Sequence, residues 1–311
     1  MQIVWFKKSN STPTLKGGCG LCLGHFDGVH VGHRALFEEL GRLNAARDGK
    51  LPLGVLCFTT PPTATLSKSP TPQLTTLEEK LSLIGDAGLD FAVLYDFPTI
   101  KDMTPEAFID EILIGECHAE MLVCGFNYSF GARGAGTPTD LLHRFGAGGK
   151  RAVSVMPPVT DGPYTVSSSL VRAMLQGGHP DDAARLLGRP YTLTATVKDG
   201  RKLGRTMGLP TANLTFPAGA LVPMHGVYAV TVRHGKQTHT GICNVGVRPT
   251  VNEGRDVNCE VFIFDFNGDL YGRRLTVSFL RFLREERRFA DLSELEAQIR
   301  CDILLAKRHF E

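Results

Sequence analysis

Two imidazoles, His30 and His33, lie three positions apart at the end of the stretch Gly24-His25-Phe26-Asp27-Gly28-Val29-His30-Val31-Gly32-His33-Arg34. An imidazole can donate a hydrogen bond to a phosphate oxygen. The surrounding chain reads as strand, glycine turn and helix. Leu21-Cys22-Leu23 is apolar, and Leu36, Phe37, Leu40 and Leu43 recur at helical spacing. A spacing of three puts both rings on one side of the first helical turn. The free N–H groups and positive dipole end of that turn favour an anion. A lone histidine here would read as a capping or surface residue; the pair in H-x-G-H favours a phosphate site. The stretch has neither the lysine of a Walker loop nor the G-x-G-x-x-G of a dinucleotide fold.

Three other places carry chemistry. In Val166-Ser167-Ser168-Ser169-Leu170-Val171-Arg172, serines open a helix and Arg172 follows Ser168 and Ser169 on the same face. Hydroxyls, amides and a guanidinium then converge as an anion clamp. Simple capping beside a solvated arginine stays open. Thr211 and Asn213, two apart in an extended segment, show oxygen ligands suited to Mg²⁺ on one face. They follow a basic, glycine-spaced run, Gly200 to Gly208, that includes Gly204 and could fold over phosphates. Glu260 shares its expected strand face with Phe262, Phe264 and Phe266, a poorly solvated setting that suits a general base. A frayed strand end in water is the alternative.

The glycine-rich run Gly125 to Gly136 carries Phe126, Asn127, Tyr128 and Phe130 between its glycines. Backbone approaching a planar ligand and an ordinary surface loop are equally open. Eight cysteines are scattered, and the single C-x-x-C, Cys19 and Cys22, has no second pair to complete a zinc pattern. Period two puts these thiols on opposite faces of a strand, as buried reduced groups.

The chain has 311 residues, room for two domains, with 42% hydrophobic and 21% charged residues. A net charge of +2 is too small for a nucleic-acid footprint and leaves a nucleotide as the expected anion. No apolar run approaches a membrane span, and the N-terminus lacks a secretory pattern, so a cytoplasmic protein is expected. The oligomeric state stays open.

The first half alternates. Strands are expected at 19–23, 53–58, 91–95, 121–124 and 152–155, with helices at 32–47, 77–84, 105–114 and 140–145 between them. That order predicts a doubly wound parallel sheet with ligands at the strands' carboxyl ends. Thr76 with Glu79, and Thr104 before Pro105, mark helix starts. A helix at 180–187 ends in Gly188-Arg189-Pro190, where the character changes, giving domains 1–187 and 188–311. The second half is strands, at 191–197, 226–233, 237–245, 257–266 and 275–283, closed by a helix at 292–306. Leu295, Ile299 and Ile303 mark its buried face. An antiparallel barrel is expected, with hairpin turns at Gly235-Lys236 and Asn267-Gly268.

The string F-D-G-V-H-V-G-H resembles that of the bacterial bifunctional riboflavin kinase/FAD synthetases, within the nucleotidyltransferases. Gly208-Leu209-Pro210-Thr211-Ala212-Asn213-Leu214 is similar to the riboflavin kinase G-[FY]-P-T-A-N-L, with Leu209 at the aromatic position. The strings at 241–250 and 264–272 match as well, and Ser168-Ser169 with Arg172 resembles S-T-x-x-R. Two departures stand out: His25 replaces the usual Asn, and Pro61 falls where the family has a histidine. The resemblance implies riboflavin, FMN, FAD and ATP as ligands, with Mg²⁺. It implies that the kinase step lies in the barrel, with Glu260 as base and Thr211 and Asn213 as metal and nucleotide residues. It places the adenylyl step in the first domain. There Gly24, Phe26, Asp27 and Gly32 would shape the nucleotide turn, His30 and His33 would stabilise charge, Ser168, Ser169 and Arg172 would hold phosphates, and Asn127 would contact flavin.

Overall fold

The computed structural model describes residues 2–6 (backbone only), 17–61, 65, 70–147, 149–198, 210–247 and 257–311. Packing divides the chain into two compact units, Met1–Ser167 and Ser168–Glu311.

The first unit is built on six strands: β1 (Gln2–Phe6), β2 (Cys19–Leu23), β3 (Leu53–Phe58), β4 (Phe91–Tyr95), β5 (Ala119–Gly125) and β6 (Ala152–Met156). All pairs are parallel, in the order β1-β4-β3-β2-β5-β6. The expected strands are all present. The short β1 was not foreseen, because an edge strand of five residues is defined by its partner, β4, more than by any pattern of its own. Helix α1 (Val31–Ala45) follows β2 and α2 (Leu77–Asp86) precedes β4. The helix at Pro105–Ala107, capped by Thr104, continues as Phe108–Glu116 with a wider, π-type winding; Cys117 N–H reaches back five residues to Ile112. A ribbon of β7 (Thr160–Asp161) and β8 (Tyr164–Thr165) completes the unit.

The sheet is covered on both faces, which explains its unbroken apolar strands. Cys19, Leu21 and Leu23 pack with Phe108, Ile109 and Leu113, whereas Cys22 packs with Leu36, Leu40 and Ile84 on the other side. Both thiols are free, as expected, and burial, with the nearby Glu120 carboxylate, pushes Cys19 up to about 12. Strand order reverses beside β2: β3 and β4 lie to one side, β5 and β6 to the other. The crevice outside the carboxyl end of β2 is therefore where a doubly wound sheet binds its ligand.

The second unit begins with α3 (Ser168–Gln176) and α4 (Pro180–Leu187). The sequence division at 188 put this helix pair with the first half, but α4 packs on strands of the second. Gly188, at φ 69°, ends α4 in the left-handed conformation a C-cap glycine favours. The strands are β9 (Tyr191–Thr196), β10 (Thr211–Thr215), β11 (Gly226–His234), β12 (Gln237–Val247), β13 (Val257–Ile263) and β14 (Arg274–Glu285). They form one antiparallel sheet in the order β10-β13-β12-β11-β14-β9. It curls until the continuation of β9 meets β10, where Lys198 N–H donates to Asn213 O at 2.9 Å. Helix α5 (Leu292–Phe310), capped by Asp291, lies on the sheet, with Ile299, Ile303 and Ala306 against Val227, Ile242 and Phe264.

Two expectations in this half are corrected. The turn at Gly235-Lys236 is a hairpin, but Asn267-Gly268 is not. Strand β13 is paired on both sides, with β12 and β10, so the chain must cross to β14 beyond β11. Second, β13 stops at Ile263, and Asp265 turns the chain at φ 53°. Phe266 thereby leaves the face of Glu260 and lines a cavity with Val261 and Ile263.

Candidate functional sites

The turn after β2 is held in an unusual backbone path. Phe26 (φ 55°), Gly28 (φ 81°) and Val29 (φ 42°) all have positive φ. For a β-branched residue such as Val29 this costs on the order of 1–3 kcal/mol. Local packing sustains it. The Phe26 ring is buried, edge-on to His33 at 5.2 Å and against Phe37 at 5.3 Å. The Asp27 carboxylate, 2% exposed, accepts from Leu74 N–H (3.0 Å) and from the N–H and hydroxyl of Thr75 (both 3.2 Å). Thr75 Oγ1 in turn accepts from Gly28 N–H at 3.1 Å. Phe26 and Asp27 thus form the wall and fastening of the turn. Gly24 packs beneath it, with no room for a Cβ beyond 3.0 Å from the Phe26 ring. His25 hydrogen-bonds through Nε2 to Gln73 Oε1 at 2.9 Å.

His30 is the N-cap of α1 and is 6% exposed. Its Nδ1 accepts from His33 N–H at 3.3 Å, so that nitrogen carries no proton and Nε2 is the donor. The two rings stack, with centroids 3.5 Å apart and planes 17° apart. Gly32 makes this possible: a Cβ there would lie 3.1 Å from His30 Nδ1. His33 Nδ1 is buried with no hydrogen-bond partner among the described residues. Burial first, then the neighbouring His30, His25 and Lys80, push the His33 imidazole well below its ordinary pKa. Both rings therefore stand stacked at the helix start, beside the switch point of the sheet.

The loop after β5, the strand adjacent to β2, holds Phe126 (49% exposed) and an exposed Asn127. Its glycines have an internal explanation: a Cβ at Gly131 would meet Pro105 N at 2.9 Å, and one at Gly136 the Phe130 ring at 2.7 Å. Gly131 thus packs on Pro105 and Gly136 on the loop's own Phe130, while Phe126, Asn127, Ser129, Arg133 and Ala135 are exposed. Ser168 opens α3, Ser169 is exposed on its first turn, and Arg172 follows one turn later, half-buried. These three belong to the second unit by packing.

In the second unit the strand register assembles a polar row. Asn213 on β10 and Asn244 on β12 are both directly opposite Glu260 on β13, and Thr211 is opposite Phe262. Cross-strand partners share a face, so Asn244, Glu260 and Asn213 lie in line with Thr211 beside them. Asn258 Nδ2 donates to both Asn213 Oδ1 and Glu260 Oε1, each at 3.2 Å. A cavity of about 360 Å³ opens on this row under α5, lined by Thr211, Asn244, Glu260, Phe262, Phe289 and Leu295. A second, of about 450 Å³, is lined by Pro210, Thr211, Asn213, Phe266, Asp269 and Tyr271. Thr211 lines both. Hydroxyl, amide and carboxylate oxygens here are hard donors that fit Mg²⁺. No group of three His, Cys, Asp or Glu side chains that could hold a metal ion occurs among the described residues.

Sequence reasoning did not single out Asn244, Asn258 or the Arg284–Asp302 pair. Asn258 was findable, two residues before Glu260 on the same strand face. Asp302, 1% exposed, was not, because nothing local marks its partner: Arg284 donates to it at 3.0, 3.1 and 2.8 Å, and Gln298 adds a bond at 2.8 Å. Gly204, and the motif's Arg248, Pro249 and Thr250, lie outside the described residues.

A parallel-sheet unit with a histidine turn is followed by a curled antiparallel unit with a row of amides around one carboxylate, and each matches a transferase family. Residues 12–170 match the family model described as FAD synthetase, and residues 187–310 that described as riboflavin kinase. The bifunctional riboflavin kinase/FMN adenylyltransferase of Listeria monocytogenes is 35% identical over 91% of this chain and 89% of that protein. The protein of the same name from Escherichia coli K12 is 36% identical over 94% and 93%. The chain belongs to the bifunctional riboflavin kinase/FMN adenylyltransferase family. Its fold also follows, end to end, a crystal structure described as a macrolide-efflux protein from Streptococcus pneumoniae, with TM-score 0.86, 31% identity and 97% of each chain covered. Among the described residues no helix is long and apolar enough to cross a membrane.

Proposed function

We propose that the chain makes FAD from riboflavin in two ATP-consuming steps, the kinase step in 188–311 and the adenylyl step in 1–187. The observation that carries the kinase reading is Thr211, shared by two cavities beside the Asn213–Glu260 pair. The more apolar cavity under α5 takes the flavin ring, and the other takes ATP. Glu260 receives the proton of the ribityl terminal hydroxyl as its oxygen attacks the γ-phosphorus. The bond to the β–γ bridging oxygen breaks and ADP leaves. Asn258 holds Glu260 and Asn213 in place. Thr211 and Asn213 would hold Mg²⁺, which supplies charge neutralisation on the phosphates when bound.

In the adenylyl step an FMN phosphate oxygen attacks the α-phosphorus of a second ATP, and pyrophosphate departs. That nucleophile is already ionised, so no strong base and no covalent enzyme intermediate are needed. His30 and His33 donate to the charge that develops at the α-phosphate. Ser168, Ser169 and Arg172 hold the departing phosphates, a role drawn from their motif. Phe126 and Asn127 offer an aromatic face and an amide to the flavin. An enzyme that consumes ATP twice is placed in the cytoplasm.

The test is a time course with purified protein, riboflavin, ATP and Mg²⁺, separating riboflavin, FMN and FAD. FMN must rise first and FAD follow. FMN without FAD would contradict the adenylyl half and turn attention to Pro61 and His25.

A further inference from the structure

Three charged residues are buried among the described residues: Asp27, Lys80 and Asp302. Asp302 is matched by Arg284, and Asp27 by the Leu74 and Thr75 donors. Lys80 is different. It is 4% exposed, on the core-facing side of α2 with Leu81 and Ile84, where an apolar side chain would pack without cost. No carboxylate forms a salt bridge with it among the described residues. Its ammonium donates to one group, the His25 carbonyl, at 3.1 Å. That carbonyl belongs to the histidine turn. An ammonium has three donors and a full charge, and one carbonyl satisfies neither.

We propose that Lys80 is a positioning residue for the adenylyl step: it fixes the Gly24–His30 turn through the His25 carbonyl and supplies a buried positive charge that the polyphosphate of ATP matches on binding. The same charge reaches His33, being one of the groups that keep its imidazole neutral. A cation kept out of water behind a phosphate turn attracts the ligand without the screening a surface lysine suffers. Its burial is a cost to the free protein that a nucleotide would relieve. This rests on the assignment of adenylyl transfer to the first unit.

The measurement compares Lys80→Met, Lys80→Arg and the unaltered chain for FAD formation from supplied FMN and ATP, with the thermal unfolding midpoint of each. Methionine matches the length of the lysine stem and removes the unmatched charge, so Lys80→Met should unfold no lower than wild type. It should nevertheless raise the KM for ATP about tenfold and lower kcat/KM further, while Lys80→Arg recovers part of the loss. FMN formation from riboflavin in the same samples should not change. Wild-type-like FAD formation by Lys80→Met overturns the inference alone. So does a loss shared equally by both variants with a lowered midpoint, which marks a merely structural lysine. If the unaltered chain makes no FAD, the adenylyl assignment fails and takes this inference with it.

Discussion

In the histidine turn, Phe26, Gly28 and Val29 hold positive φ within four positions, and a buried ring, a buried carboxylate and a buried ammonium keep them there. In the kinase row, Asn244, Glu260 and Asn213 come into line by strand register, on unstrained backbone, with Asn258 as their brace. In the proposed function both regions handle the phosphates of ATP. The turn makes its site from a helix start and paired rings on a strained path, so its geometry depends on the buried residues that brace it. The row makes its site from side chains that a sheet orients as a matter of course. The first should therefore fail through its supports, and the second mainly through the reacting residues themselves.

The largest expected effect is on the row. Glu260→Gln keeps shape and hydrogen bonding but removes the base, and FMN formation should fall about 10²–10⁴-fold. FAD formation from supplied FMN should persist. Replacing His30 and His33 together by Ala should cut FAD formation about 10²–10³-fold and leave FMN formation intact, as product assays on each variant will show.

Next come the supports. Asp302→Ala removes the buried carboxylate that Arg284, itself only partly buried, and Gln298 both donate to, and the second unit should lose about 1–3 kcal/mol of stability, read by denaturant unfolding. Riboflavin binding should weaken with it, because the same pair lines the cavity under α5. Gly32→Ala places a methyl against the His30 ring, and its FAD formation should drop by about tenfold while the row is untouched.

The smallest effect is a pH dependence. His33 has a depressed pKa in the folded chain and returns to about 6.5 when unfolded. Below that value the unfolded state binds a proton the folded state does not, so stability must fall as pH falls through about 6.5. The slope attributable to His33 is at most about 1.4 kcal/mol per pH unit. Unfolding midpoints at pH 5.5 and 7.5 should converge in His33→Gln.

The same contrast explains what the sequence disclosed. Apolar runs between polar, proline or glycine neighbours placed β2, β3 and β4 at their observed limits, because a strand buried on both faces is written in its own residues. The pairing of His30 with His33, and of Thr211 with Asn213, was legible from spacing. The inward direction of Phe26 and Asp27 was not, since positive φ breaks the periodicities that tell which way a side chain faces. Phe266 was misplaced for the same reason, directly after the positive φ of Asp265. Asn267-Gly268 has the composition of a hairpin, but sheet order decides whether flanking strands can pair. Lys80 was passed over because charge inside a helical pattern reads as a solvated face until burial is known.

The central claim is that two independent sites serve one chain, and mixing the two disabled variants tests it most directly. Glu260→Gln and the His30→Ala, His33→Ala double variant are each incubated with riboflavin, ATP and Mg²⁺, then combined. The account predicts no FAD from either alone, FMN from the histidine variant, and FAD once both are present, because released FMN reaches the intact adenylyl site. A folded variant of either kind that loses both reactions when given each step's own substrate would contradict it.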